Sequence, residues 1–245
     1  MRQSTKTALL ATAALLAATL CVPKSALAEP VRWTDWASAR AGANGSAVGQ
    51  IALGDGSSID VAYSGQLAFW DAPGTTSYWQ DGGGTYTSAA VDNGPGDHGM
   101  LAMSRLGLRT LTFSHAVDNL FFALIDLNAG GYEFDQDFTI ESSGAGNRGS
   151  GSFSKQITAE GKYRLVGSGD PHGVIRFNDA VSSISWSSLG SETWNGFTVG
   201  TYGAAVEPNP VPEPASLALV GLGVAVVGYQ RRRARPAIAA GVAAA

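Results

Sequence analysis

Between Glu29 and Glu207 the chain is a series of short β-forming runs, separated about every ten residues by clusters of Gly, Asn, Asp and Ser. No segment of convincing length repeats its apolar residues with the helical period. Residues 59–63 instead alternate, with the first, third and fifth on one face. Residues 120–125 are apolar on both faces, which predicts a central buried strand. Parallel pairing would need crossover helices that the sequence does not offer. We therefore predict an all-β fold, an antiparallel β-sandwich of jelly-roll-like form.

The alternation continues further along the chain. Residues 108–113 place Arg109 on the same face as Leu111 and Phe113. Trp186 alternates with serines beside Ile184, which predicts a core position for this tryptophan. Further runs with strand character are residues 138–140, 173–177, 182–186 and 197–202.

The first 28 residues have the properties of a secretory signal peptide. A basic start is followed by an apolar stretch, residues 8–20, rich in Ala and Leu. Small side chains at Ala26 and Ala28 fit cleavage before Glu29.

The one cysteine, Cys21, lies inside this signal segment. We therefore expect residues 29–206 to be an exported ectodomain without disulfides or thiol chemistry. Between Glu29 and Pro214 the sequence has 9 Lys or Arg and 20 Asp or Glu, a net charge of −11. An acidic domain repels phosphate backbones, so we expect no nucleic-acid partner.

Composition changes abruptly after residue 206. Residues 207–214 contain four prolines, which predicts an extended linker. Residues 215–230 are uncharged and mostly apolar, and we expect a short transmembrane helix there. As a helix the apolar part, 215–229, would be about 22 Å long, shorter than the core of a bilayer.

A basic tail, residues 231–245, follows the apolar segment. Its arginines predict a cytoplasmic end that retains a precursor in the membrane with the ectodomain outside. They are Arg231, Arg232, Arg233 and Arg235. A plain single-pass anchor with a proline hinge is one interpretation of residues 207–245.

A second interpretation comes from a resemblance. Pro-Glu-Pro, a short apolar helix and an arginine cluster, in this order near the C-terminus, resemble the PEP-CTERM sorting signal of Gram-negative bacteria that make exopolysaccharide. The motif residues here are Val211, Pro212, Glu213 and Pro214. The resemblance implies that exosortase, an integral-membrane cysteine protease, recognises this motif, cleaves near it and passes the protein to the cell surface or extracellular matrix. The ten residues that follow the arginines depart from many family members.

The ectodomain offers little recognisable catalytic chemistry. His98, His115 and His172 have no zinc-binding spacing, so no metal site is predicted from them, and no Gly-x-Ser-x-Gly elbow is present. Glu133, Asp135 and Asp137 would share one face of a strand, at a spacing that a carboxylate pair could use. We expect a solvated acidic face there instead.

Two binding interpretations stay open. Calcium is the candidate ion for oxygen-rich segments such as 92–97 and 126–128, although neither follows the EF-hand pattern. Trp70, Tyr78 and Trp79 flank a loop and are candidates for an exposed surface that contacts carbohydrate.

The sequence therefore favours a non-enzymatic exported protein that is associated with exopolysaccharide or a biofilm matrix, and no cofactor is assigned. The alternatives are a carbohydrate-binding module on the cell surface and a secreted glycan hydrolase that uses a carboxylate pair.

Overall fold

The computed structural model describes residues 30–75, 78–80, 84–128 and 130–204. These residues belong to one compact unit, Met1–Ala205, and form sixteen β-strands. The strands in chain order are β1 (Arg32–Trp33), β2 (Asp35–Arg40), β3 (Gly42–Ala52), β4 (Ser58–Leu67), β5 (Phe69–Asp71), β6 (Met100–Met103), β7 (Leu108–Asp118), β8 (Phe121–Ile125), β9 (Tyr132–Phe134), β10 (Phe138–Gly144), β11 (Gly151–Ile157), β12 (Tyr163–Gly169), β13 (His172–Phe177), β14 (Val181–Ser188), β15 (Asn195–Thr201) and β16 (Gly203–Ala204).

The strands form two antiparallel sheets in a sandwich-like arrangement, which confirms the predicted fold class. The seven-stranded sheet has the order β10-β13-β8-β15-β6-β5, with β1 beside β15. The nine-stranded sheet has the order β11-β12-β9-β14-β7-β4-β3-β2, with β16 beside β7. From β7 onward the chain changes sheet after almost every strand, so many pairings join strands that are far apart in sequence.

Aromatic side chains fill the space between the sheets. In the seven-stranded sheet, the rings of Phe122 and Phe197 stack with centroids 5.5 Å apart. Trp186 of the nine-stranded sheet contacts both rings edge-on at 5.4 Å. The predicted core position of Trp186 is confirmed, and the alternating residues 59–63 direct their first, third and fifth side chains into this core.

The outer face of the seven-stranded sheet is also covered. The long connection between β5 and β6, residues 72–99, places Trp79, Tyr86 and Val91 against side chains from that face, including Phe121 and Ala123. We call residues 72–99 the covering segment. Because core lies on one face and the covering segment on the other, every residue of β8 is fully buried, as its apolar sequence predicts.

The two ends of the sandwich differ. Arg32 pairs with Thr201, so β1 and the end of β15 lie together at what we call the proximal end. At the other end, Asn195 pairs with Met103, and Gly196 pairs with Ile125. We call this the distal end. It carries the connections β6–β7, β8–β9, β10–β11, β12–β13 and β14–β15.

Candidate functional site

Two groups of predicted site residues lie outside the residues that the structure describes. They are the signal-cleavage residues and the C-terminal sorting and retention residues: Ala26, Ala28, Val211, Pro212, Glu213, Pro214, Arg231, Arg232, Arg233 and Arg235. The predicted membrane helix, residues 215–230, lies outside them as well. Within the described ranges, the chain contains no helix that is long and apolar enough to cross a membrane.

Trp79 does not lie on an exposed aromatic surface. Its side chain is only 4% exposed, and its indole Nε1 donates to the backbone oxygen of His98 at 2.8 Å. Its ring packs edge-on against Tyr86 at 5.3 Å. The prediction of an exposed Trp79 is therefore wrong, because the covering segment uses this large side chain to seal the outer face of the seven-stranded sheet.

Trp70 and Tyr78 are half-buried. Trp70 packs against the main core, and the ring of Tyr78 lies edge-on to Trp194 with centroids 5.3 Å apart. Contact of these two residues with carbohydrate stays a prediction.

The acidic run at residues 133–137 does not form one strand face. β9 ends at Phe134, and a bend carries the chain to β10 in the other sheet. The expected continuous strand is wrong because this change of sheet lets Phe134 and Phe138 both enter the core, where their rings lie 5.6 Å apart. Alternation alone cannot reveal a strand that crosses between sheets.

Two acids of this run are occupied by basic partners. Glu133 Oε2 accepts from Arg164 Nε at 2.7 Å, and Asp137 pairs with Lys155. Burial by itself would raise the pKa of Asp137, but the hydrogen bond and charge of Lys155, together with hydrogen bonds from the Phe138 backbone and the Asn178 side chain, outweigh burial and lower the pKa. The carboxylates that the hydrolase alternative would use are thus held in separate ion pairs.

The three histidines have separate surroundings. His98 Nδ1 contacts Asp35 Oδ1 at 2.8 Å, and His115 Nδ1 contacts the hydroxyl of the preceding serine at 3.0 Å. His172 begins β13, is fully buried and lies 2.8 Å from the Tyr86 hydroxyl. Among the described residues no group of three or more His, Cys, Asp or Glu side chains could hold a metal ion, and segments 92–97 and 126–128 form no such group.

Three other acids lie in neighbouring connections at the distal end. Asp126 follows β8, Asp170 lies between β12 and β13, and Glu192 lies between β14 and β15. We call these three the carboxylate cluster. They come from sequence positions far apart, and the two aspartates are close enough to Glu192 for their charges to act on it.

Glu192 is the most perturbed member of the cluster. Its carboxylate accepts hydrogen bonds from the Asn195 side chain and the Asn128 backbone. Its Oε2 is buried and has no hydrogen-bond partner among the described residues. Burial raises the pKa of Glu192 to about 7, the charges of Asp126 and Asp170 act in the same direction, and the two hydrogen bonds oppose them.

Asp126 occupies the outer side of the cluster. It has a left-handed backbone with φ of 56°, a conformation that Asp tolerates better than most residues. Burial and the charge of Asp170 raise the pKa of Asp126, whereas Arg148, with Nε 4.0 Å from Asp126 Oδ2, lowers it. The Arg148 guanidinium also lies over the Trp194 ring, 4.9 Å from its centroid.

The inner side of the cluster continues into the core. The Tyr132 hydroxyl donates to Asn195 Oδ1, and Tyr132 is fully buried. Burial raises the pKa of Tyr132, and the nearby charge of Arg109 partly offsets this rise. Asn195 therefore joins the carboxylate of Glu192 to a buried tyrosine.

The chemistry of this arrangement is proton exchange near neutral pH. A carboxyl with a pKa of about 7 beside two other carboxyls is also what a general acid requires. However, one oxygen of Glu192 is buried, and its carboxylate is held by Asn195 and Asn128.

Sequence reasoning missed this cluster. Glu192 and Asp170 each lie in a short polar stretch, residues 190–192 and 169–173, that contains no functional motif. The surroundings of Glu192 include Asn128, which lies more than sixty positions earlier, so no local sequence pattern identifies Glu192. The one available signal was a charged residue close to Trp194 and Asn195.

The strands define the class of this molecule, an antiparallel β-sandwich, and three acids lie at its distal end. A family model described as the PEP-CTERM protein-sorting motif matches residues 210–233. The chain thus carries a PEP-CTERM protein-sorting motif, which implies export and sorting to the cell surface of a bacterium. No curated protein and no solved structure matches the chain.

Proposed function

We propose that this protein is a non-enzymatic component of the cell surface or extracellular matrix of a Gram-negative bacterium, associated there with exopolysaccharide. The observation that carries the proposal is the sorting motif at residues 210–233. It begins shortly after β16, so the sorting signal follows the folded domain directly in sequence.

The order of the C-terminal elements explains how sorting works in this proposal. Pro212 and Pro214 keep the backbone extended, which is the form that a protease can pair with as an added strand. Glu213 between them offers one charge to a basic subsite. The arginine cluster stays on the cytoplasmic side and holds the precursor in the membrane until cleavage.

The absence of catalysis is part of the proposal. It is supported by the ion pairs that occupy Glu133 and Asp137 and by the enclosed carboxylate of Glu192. Because Trp79 is buried, it is not available to a carbohydrate, and the carbohydrate-binding alternative depends on Trp70 and Tyr78.

Mass spectrometry of protein from the culture matrix of the native host tests the proposal. We expect a mature N-terminus at Glu29 and a C-terminus at or near residues 212–214. Glu213→Gln removes the charge that exosortase selects, and we expect release into the matrix to fall by about tenfold, the usual effect of one charge-assisted hydrogen bond.

Glu207→Gln is the matched control, because Glu207 is a second glutamate of the same proline-rich linker. It should leave release unchanged. Matrix protein that is intact through Ala245, in amounts unaffected by Glu213→Gln, would contradict the proposal and leave a plain membrane anchor.

A further inference from the structure

Among the described residues, few backbone hydrogen bonds join the connections at the distal end to one another. Single backbone bonds join β8–β9 to β12–β13, β8–β9 to β14–β15, β12–β13 to β10–β11 and β14–β15 to β6–β7. They are Leu127 N to Pro171 O at 3.3 Å, Leu189 N to Gly131 O at 3.0 Å, Asp170 N to Ser150 O at 3.0 Å and Glu192 N to Ser104 O at 3.3 Å. The local stability of this end therefore depends strongly on the side chains that pack between the connections.

Glu192 lies between two of them. It belongs to the β14–β15 connection, yet its carboxylate accepts from the backbone of Asn128 in the β8–β9 connection. Gly130 of that connection packs so closely that an added Cβ would lie 2.6 Å from Glu192 Oε1. The carboxyl group is thus one of the contacts between the two connections, beside the hydrogen bond from Leu189 N to Gly131 O.

A negative charge on the Glu192 carboxyl group is poorly stabilised by its surroundings. Oε2 is buried and receives no hydrogen bond from the described residues. Asp126 from the β8–β9 connection and Asp170 from the β12–β13 connection both repel a negative charge on Glu192. An ionised, buried carboxylate oxygen without a donor is costly, whereas the neutral acid is tolerated.

The other charged or titratable groups at the cluster are Arg148 and Tyr132. Arg148 lies beside Asp126 and over Trp194, so its charge is directed to the outer side. Tyr132 of β9 has its hydroxyl on Asn195, and the further buried charge near Tyr132 is that of Arg109. Neither Arg148, Tyr132 nor Arg109 forms a hydrogen bond with Glu192 Oε2.

We propose that the carboxylate cluster is a pH-sensitive latch on the distal end of the sandwich. With Glu192 protonated, the β8–β9 and β14–β15 connections close on a neutral group. With Glu192 ionised, three negative charges from three connections repel one another, and the connections open more readily.

The direction of the pH effect follows from the surroundings of Glu192. The pKa of Glu192 is raised from 4.5 to about 7 in the folded domain, so between these values the folded state binds more protons than the unfolded state. Stability from this group is fully present below about pH 4.5 and is lost as the pH rises through about 7. The latch is closed in acid and loosened in alkali.

Hydrogen exchange of the full-length protein, measured by mass spectrometry from pH 5 to pH 8.5 and corrected for intrinsic rates, tests the latch. In the wild type we expect the opening equilibrium of peptides covering residues 126–134 and 189–196 to increase by about 10- to 100-fold across this range. Glu192→Gln replaces the acid by a neutral group of the same shape, and we expect a change of less than about threefold.

Glu160→Gln is the matched control. Glu160 is fully exposed in the β11–β12 turn, and its replacement should leave the wild-type pH dependence intact. Residues 48–62 serve as the internal reference, since they lie in β3, β4 and the turn between them, toward the proximal end and away from the cluster. Equal pH dependence in the wild type and Glu192→Gln would overturn the proposal.

Asp170→Asn provides a second test that keeps Glu192. It removes one of the charges that raise the pKa of Glu192, so the pH midpoint of opening should move to a lower value while the transition persists. An unchanged midpoint would overturn the latch even if Glu192→Gln does not fold.

Discussion

A buried positive charge shows how single residues are accommodated in this core. Arg109 is 1% exposed on the inner face of β7, the face on which its alternation with Leu111 and Phe113 placed it. Its guanidinium donates to Gln66 Oε1 at 3.3 Å, to the Gly107 oxygen at 2.7 Å and to the Arg105 oxygen. The charge is therefore stabilised by amide and backbone dipoles.

Replacing this arginine should be costly. Arg109→Met keeps much of the volume but removes the guanidinium donor from two backbone carbonyls and one of three donors from the Gln66 amide oxygen. We expect the free energy of unfolding to fall by about 2–4 kcal/mol, measured by urea unfolding.

Arg40→Met is the comparison, because Arg40 is exposed at the end of β2. It should change stability by less than about 0.5 kcal/mol. Equal losses for the two variants would mean that the contacts of Arg109 are not what makes it important.

Among the elements, burial separates the central strand from the edge strands. β8 lies between β13 and β15 and is fully buried along its length, whereas β11 forms the edge of the nine-stranded sheet and is mostly exposed. Phe122 of β8 contacts four other core rings, those of Phe134, Phe177, Trp186 and Phe197. Ile157 at the end of β11 is 68% exposed.

Truncation of Phe122 should therefore lower the free energy of unfolding much more than truncation of Ile157. Phe122→Ala removes a ring from the centre of the aromatic core, and we expect a loss of about 3–5 kcal/mol in unfolding free energy. Ile157→Ala should cost less than about 0.5 kcal/mol. Urea unfolding of both variants measures the contrast, and a loss above about 2 kcal/mol at Ile157 would show that the edge strand is packed more tightly than its exposure indicates.

The elements also show how far sequence reasoning could go. Period-two alternation at residues 59–63 and the apolar run at 120–125 were correctly interpreted, because one-sided and two-sided burial leave a local pattern. The same alternation failed at residues 133–138, where the chain turns from one sheet to the other. The covering segment and the surroundings of Glu192 were not predicted, because they depend on contacts between distant parts of the chain.

At the scale of the whole molecule, the first strand of the domain pairs with its last long strand. β1 pairs with β15, and Thr34 donates through its hydroxyl to Val199, 165 residues later. β15 also pairs with β8 and β6, so it lies at the centre of the seven-stranded sheet. The C-terminal part of the domain is therefore essential to all of the seven-stranded sheet.

Two C-terminal truncations should separate this role from that of the sorting tail. A chain that ends at residue 206 keeps all sixteen strands, and we expect its urea midpoint to match that of the full-length protein. A chain that ends at residue 194 lacks β15 and β16 and should show no cooperative unfolding transition. A cooperative transition in the shorter chain would mean that the fold does not require β15.

The pairing of β1 with β15 also sets an order of events during export. A chain that emerges N-terminus first presents β1 at the start and its partner almost last, so the sandwich closes only when nearly the whole domain has crossed. Residues 205–209 are then all that separates β16 from the matched motif. We therefore expect an exported chain to complete the sandwich only after most of residues 30–204 have crossed, shortly before the matched motif follows.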